Sequence, residues 1–181
     1  MTTSNFSTAT IGWVAIGTGV SVILAVISLT LMATVNQSFG VLNDVFNGII
    51  GISSVILAWM LYVEYHAKSP LLSQVAFILT LIGAIFVVAG SVLVIFKFTG
   101  FVLAGWYTGM GNALIGLWLV VLCYSMQRGD GFPNNLITFG LVVGVVMAMG
   151  LLGISGIFAG IDSMESLPWY LNIGYFGFFG S

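Results

Sequence analysis

The side chains able to do chemistry are few. The chain has one histidine, His66, and one cysteine, Cys123. A bis-imidazole haem needs two histidines and a row of pigments needs more, so haem or pigment ligation is not expected of this chain. Zinc and iron–sulfur centres need clustered Cys, His or carboxylate ligands, and the spacing offers no such cluster. Cys123 has no base near it in sequence, so it reads as a small apolar packing residue rather than a nucleophile. His66 stands between Glu64 and Lys68 and reads as a solvated interfacial side chain. The expected set of catalytic residues, metals and cofactors is therefore empty, bound lipid aside.

The carboxylates Asp44, Glu64, Asp130, Asp162 and Glu165 all map to loops or helix ends. Proton pumps and ion-coupled transporters usually keep an ionisable group inside their bundle, so proton coupling through this chain is not expected. Asp162 and Glu165, flanking Met164, read either as a weak cation site or as a solvated acidic loop. The amides are more informative. Asn112 stands with Thr108 deep in an apolar stretch, and Asn43 and Asn47 share a face at the start of another. In lipid each needs a partner. Such an amide lines a polar pathway, meets a cofactor headgroup, or joins two helices for about 1 kcal/mol.

These residues must be carried by something, and composition says what. Of 181 residues 60 % are hydrophobic and 4 % charged. A soluble domain carries about a quarter charged residues, so lipid must be the solvent for most of this exterior. No run of Lys or Arg exists to neutralise phosphates, which excludes a nucleic-acid partner. The fold class that follows is an all-α polytopic membrane protein forming a single domain. Five apolar runs, at about 11–33, 41–63, 71–96, 101–126 and 136–161, each exceed the roughly 20 residues a crossing needs. They are continuously apolar rather than alternating, which disfavours a barrel. The leader 1–10 has no Lys or Arg, so the first run reads as a retained helix and not a signal peptide. A sixth segment, 168–181, is too short to cross and reads as a partial or truncated helix.

Pro70, Pro133 and Pro168 each open a run, where a missing N–H costs nothing. Trp13, Trp59, Tyr62, Tyr65, Trp106, Tyr107, Tyr124, Trp169 and Tyr170 fall near helix ends as an interfacial belt, with Trp118 the exception. His66, Lys68 and Arg128 lie in loops on one side, which the positive-inside rule makes cytoplasmic, together with the N-terminus. Asn47-Gly48-Ile49-Ile50-Gly51 and Asn112-Ala113-Leu114-Ile115-Gly116 hint at a parallel repeat of two helical hairpins.

Glycine is the strongest positive signal, at 24 residues. Gly105 and Gly109, Gly140 and Gly144, and Gly156 and Gly160 are pairs four apart; Ala15 with Gly19 and Gly17 with Ser21 are similar, and Gly174, Gly177 and Gly180 follow at three-residue spacing. Small residues at such spacing let helix backbones approach closely. The functional expectation is an accessory, non-catalytic subunit packed among other transmembrane subunits and lipid, with the Gly140–Gly144 face as a docking candidate. The alternative is a small channel or transporter for an uncharged or hydrophobic solute, with a pathway near Asn47, Thr108 and Asn112.

Overall fold

The computed structural model describes residues 6–127, 133–163, 165 and 167–179, with side chains through residue 174. Among the described residues all regular structure is helical. The five apolar runs become α1 (Thr8–Thr34), α2 (Phe39–Tyr65), α3 (Pro70–Ile95), α4 (Phe101–Met126) and a composite fifth span. That span begins as α5 (Asn134–Ala148), tightens to a 3-10 segment (Met149–Gly153) and ends as α6 (Ile154–Phe158). The sixth segment forms α7 (Trp169–Phe179). Its eleven residues span about 16 Å, half a crossing. All five long helices are long and apolar enough to cross a membrane, so the chain is a multi-pass integral membrane protein.

Local chemistry sets the ends. Ser7 caps α1 by accepting from the Thr10 amide at 3.1 Å. Pro70 takes the first turn of α3, as its position predicts. Two helices close with a left-handed residue. Gly160 (φ 61°) donates to the Ile157 carbonyl and Ile161 to that of Gly156, which is a Schellman closure. Lys97 (φ 58°) makes the same closure after α3, donating to Val94 while Phe98 donates to Leu93. Within α1, Thr18, Ser21, Thr30 and Thr34 donate their hydroxyls to carbonyls four residues back, so these four are satisfied inside the helix.

The five spans form a row in chain order, each antiparallel to the one before it. α1 packs chiefly on α2, α2 on α3, α3 on α4 and α4 on α5. α7 folds back against the 3-10 segment, α4 and α5, and seats Leu171 with no exposed surface. α4 is thus central: 56 % of its apolar window is buried, against 17 % for α1 at the open edge. The apolar core joins Ala58, Leu61, Val87, Ile115, Trp118 and Met147 across α2, α3, α4 and α5.

Glycine makes the middle seams thin. A Cβ on Gly144 would stand 2.7 Å from the Gly116 carbonyl, and one on Gly150 would stand 2.7 Å from that of Gly109. Gly83 and Gly111 meet backbone to backbone across α3 and α4. In lipid such contact supplies the dispersion that holds helices together, since apolar burial gives no preference for protein over acyl chains.

Candidate functional site: a buried polar cluster on α2

Helix α2 is inside out. Its buried residues include Gly40, Asn43, Asp44, Asn47, Gly51, Ser54 and Ala58, while Val41, Leu42, Val45, Ile49, Ile52 and Ile56 are exposed. The buried positions recur every three or four residues, the spacing of one helix face. Polar and small side chains face protein, and branched apolar ones face the membrane. That spacing is legible in the sequence. Hydropathy averaged over a window conceals it, because the average discards phase.

Three polar side chains crowd the first turns. Asn43 donates from Nδ2 to the Ala25 carbonyl of α1 at 3.0 Å, and Asn47 donates from Nδ2 to Asn43 Oδ1 at 3.0 Å. Between them in sequence stands Asp44, 5 % exposed. It lies near the start of α2, a helix end as expected from sequence, but it is buried rather than solvated. Its Oδ2 has no hydrogen-bond partner among the described residues, and neither has Ser91 Oγ on α3. Ser91 stands opposite Gly48, where a Cβ would meet its hydroxyl at 3.8 Å.

Thr108 and Asn112 are both buried on α4. Thr108 fills the space left by Gly90 of α3. Asn112 is itself engaged with a partner, and helical spacing puts it between the face α4 gives to α3 and the one it gives to α5. Asn47 is thus tied through Asn43 to the α1–α2 seam, and Thr108 belongs to the α3–α4 seam. In the row of helices α3 lies between these two seams.

The glycines separate into groups. Gly140 abuts Cys123 Sγ and Gly144 abuts Gly116 and Val120, so this face meets α4 of the same chain instead of lying free for another subunit. Gly109 lies under Gly150, and Gly156 lies under the Trp106 indole. A Cβ on Gly105 would meet nothing within 4 Å, and Gly160 ends a helix. Gly51 and Gly116, which close the two similar pentapeptides, each face the helix that follows their own. Gly180 and Arg128 lie outside the described residues.

At the far end of α4 the acidic loop has a defined task. Asp162 Oδ2 accepts from the Gly100 amide at 2.7 Å and Oδ1 from the Leu103 amide at 3.0 Å. These are N–H groups that a helix start leaves without partners, and a carboxylate there also meets the positive end of the helix dipole. Beside it, Trp106 is 4 % exposed and donates from Nε1 to the Ile161 carbonyl at 3.2 Å. Trp106 is therefore a buried clamp and not part of an interfacial belt. Trp13, Trp59 and Trp169 are exposed, as a belt requires.

At the opposite end, Tyr62 packs on Trp59, Phe77 and the His66 imidazole. A cavity of about 20 Å³, lined by Tyr62, Tyr65, Ser73 and Trp118 among others, has room for about one water. Among the described residues no three His, Cys, Asp or Glu side chains group as a metal site. No protein-family model matches the chain, and neither a curated protein nor a solved structure does.

Proposed function

We propose that this chain is a non-catalytic structural subunit of a larger membrane assembly, with other transmembrane subunits and lipid as its partners and no nucleic acid. The observation that carries the reading is the free side of α1. Ser21 and Ser28 lie on its buried face. Gly12 and Gly19 each stand nine residues earlier, a half-turn offset at 100° per residue, which puts them on the opposite side. Neither has any atom within 4 Å of its Cβ position, and Ala15 between them is exposed. A strip of small residues on a half-covered edge helix suits a second helix at close range. The charge distribution favours a cytoplasmic N-terminus.

The test is extraction of native membranes in mild detergent, a native gel, and mass spectrometry of the band. The reading expects migration within a large assembly, released by Gly12→Leu with Gly19→Leu. Migration of the unmodified chain alone, or as a small homo-oligomer, overturns it and turns attention to a channel or transporter for an uncharged solute.

A further inference from the structure

Building on the subunit reading, we infer that the free face of α1 seats one transmembrane helix of a different subunit, running antiparallel to α1 and presenting small residues at steps of three or four. The ground for this is a repeat of contacts inside the chain. The offset that takes Asn47 to Asn112 also takes Asn43 to Thr108 and Ala25 to Gly90. Asn43 of α2 bonds to Ala25 of α1, and Thr108 of α4 sits on Gly90 of α3, so the α1–α2 and α3–α4 seams share a register. The next seams agree. A Cβ on Gly51 would meet the Ala84 carbonyl and the Val87 side chain; one on Gly116, its equivalent, would meet the Gly144 carbonyl and the Met147 side chain. Each glycine faces a carbonyl and the side chain three residues after it.

By this correspondence α1 is the counterpart of α3. Ser21 and Ala25, on the side of α1 that faces α2, match Phe86 and Gly90, which meet Tyr107 and Thr108 of α4. On the other side Ala15, Gly19 and Val26 match Thr80, Ala84 and Ser91. These three residues of α3 are 0 %, 6 % and 3 % exposed, and Ala84 and Ser91 lie against Gly51 and Gly48 of α2. Ala15, Gly19 and Val26 are exposed, and a Cβ on Gly19 would meet nothing within 4 Å. α3 has a helix on each side, and α1 has the same seat with nothing on it.

The filled seats define the occupant. α2 lies antiparallel on α3 through Gly48 and Gly51, and α4 lies antiparallel on α5 and its 3-10 continuation through Gly109 and Gly116. Small residues are required there because the backbones come within reach of each other's carbonyls. A second copy of this chain does not offer such a helix. The small faces of its α2 and α4 are spent on α3 and α5, and the outer sides of α2, α3 and α5 carry chiefly Val, Ile, Leu and Phe. Its α1, inserted in the same sense, would run parallel.

The experiment is photo-cross-linking in native membranes. A diazirine side chain is placed singly at Ala15, Ile16 or Val26 of the full-length chain, and the adducts are mapped by mass spectrometry. Ala15 and Val26 should label one helix of one other protein, with the Val26 adduct earlier in that helix by about as many residues as separate the two positions. Gly, Ala or Ser should recur at three- or four-residue steps between the adducts. Ile16, whose counterpart Leu81 is exposed on α3, should give little protein adduct. Adding Gly19→Leu should abolish the Ala15 and Val26 adducts. Adducts in the reverse order, adducts to a second copy of this chain, an Ile16 yield equal to the other two, or no protein adduct overturns the inference; if the chain still migrates in a large assembly, the subunit reading survives. Migration of the chain alone overturns both.

Discussion

Asp162 caps a helix from 62 residues beyond its cap position: its carboxylate receives the Gly100 amide at 2.7 Å. Gly100 holds the cap position of α4 without a side chain of its own, and a Cβ there would collide with that carboxylate. The two residues form one device. Glycine leaves the room, and a distant aspartate does what a local Ser or Asp does at most helix starts.

The cap is measurable. Asp162→Ala should lower unfolding stability in detergent by about 1–2 kcal/mol, the usual worth of a capping side chain. Asp162→Asn keeps an acceptor and should lose less. Tryptophan emission during thermal or denaturant unfolding reads the change, with Trp106 next to the break. Equal stability of Asp162→Ala and the parent would remove the cap from the account.

Glycines in contact should separate from glycines in the open. Gly144→Ala forces a methyl against the Gly116 carbonyl and should cost about 1–3 kcal/mol as an overpacked seam. Gly105→Ala meets nothing and should gain up to about 1 kcal/mol from helix propensity alone. Folded yield and melting temperature of the two variants should move in opposite directions.

Left-handed closures give a reciprocal pair. Lys97 sits where a β-carbon is strained, so Lys97→Gly should stabilise the chain by about 0.5–1 kcal/mol. Gly160→Ala should destabilise it by a similar amount, because the same geometry then has to accommodate a methyl. Melting curves of both variants check the sign.

Asn43 fastens the edge helix. Asn43→Ala removes the bond to Ala25 and strands the Asn47 amide, at about 0.6–1.7 kcal/mol for an interhelical bond within a membrane. Hydrogen exchange should speed up in α1 and leave α4 unchanged. Uniform acceleration would mean that α1 does not open separately.

The five spans were readable because each is a long apolar run closed by polar or proline-containing breaks, and their bounds shift by no more than three residues in structure. Asp44 and Trp106 both stand near helix ends, as their positions in sequence imply, but distance along the chain from a helix end does not give burial. Asp44 is five residues past the start of α2 and yet buried, on the turn that Asn43 fastens to α1. Trp106 is five residues past the start of α4 and yet covered, because the span from Met149 to Phe158 lays Gly153 and Gly156 over its ring. The tightening at Met149–Gly153 left one trace in sequence, glycine at 150, 153 and 156, whose three-residue step is that of a 3-10 turn. Asp162 as a long-range cap left none, since nothing local ties it to Gly100.

The row in chain order bears on biogenesis. As synthesis proceeds, each span after the first meets a packing partner in the one made just before it, so docking can follow insertion step by step without long loop closures. α4 is different. Its first turn stays open until Asp162 has emerged, and the Trp106 pocket until the glycines of the fifth span arrive. A nascent chain stopped before residue 150 would present an unfinished central helix to the insertion machinery, since neither the cap nor the glycines over Trp106 would yet exist.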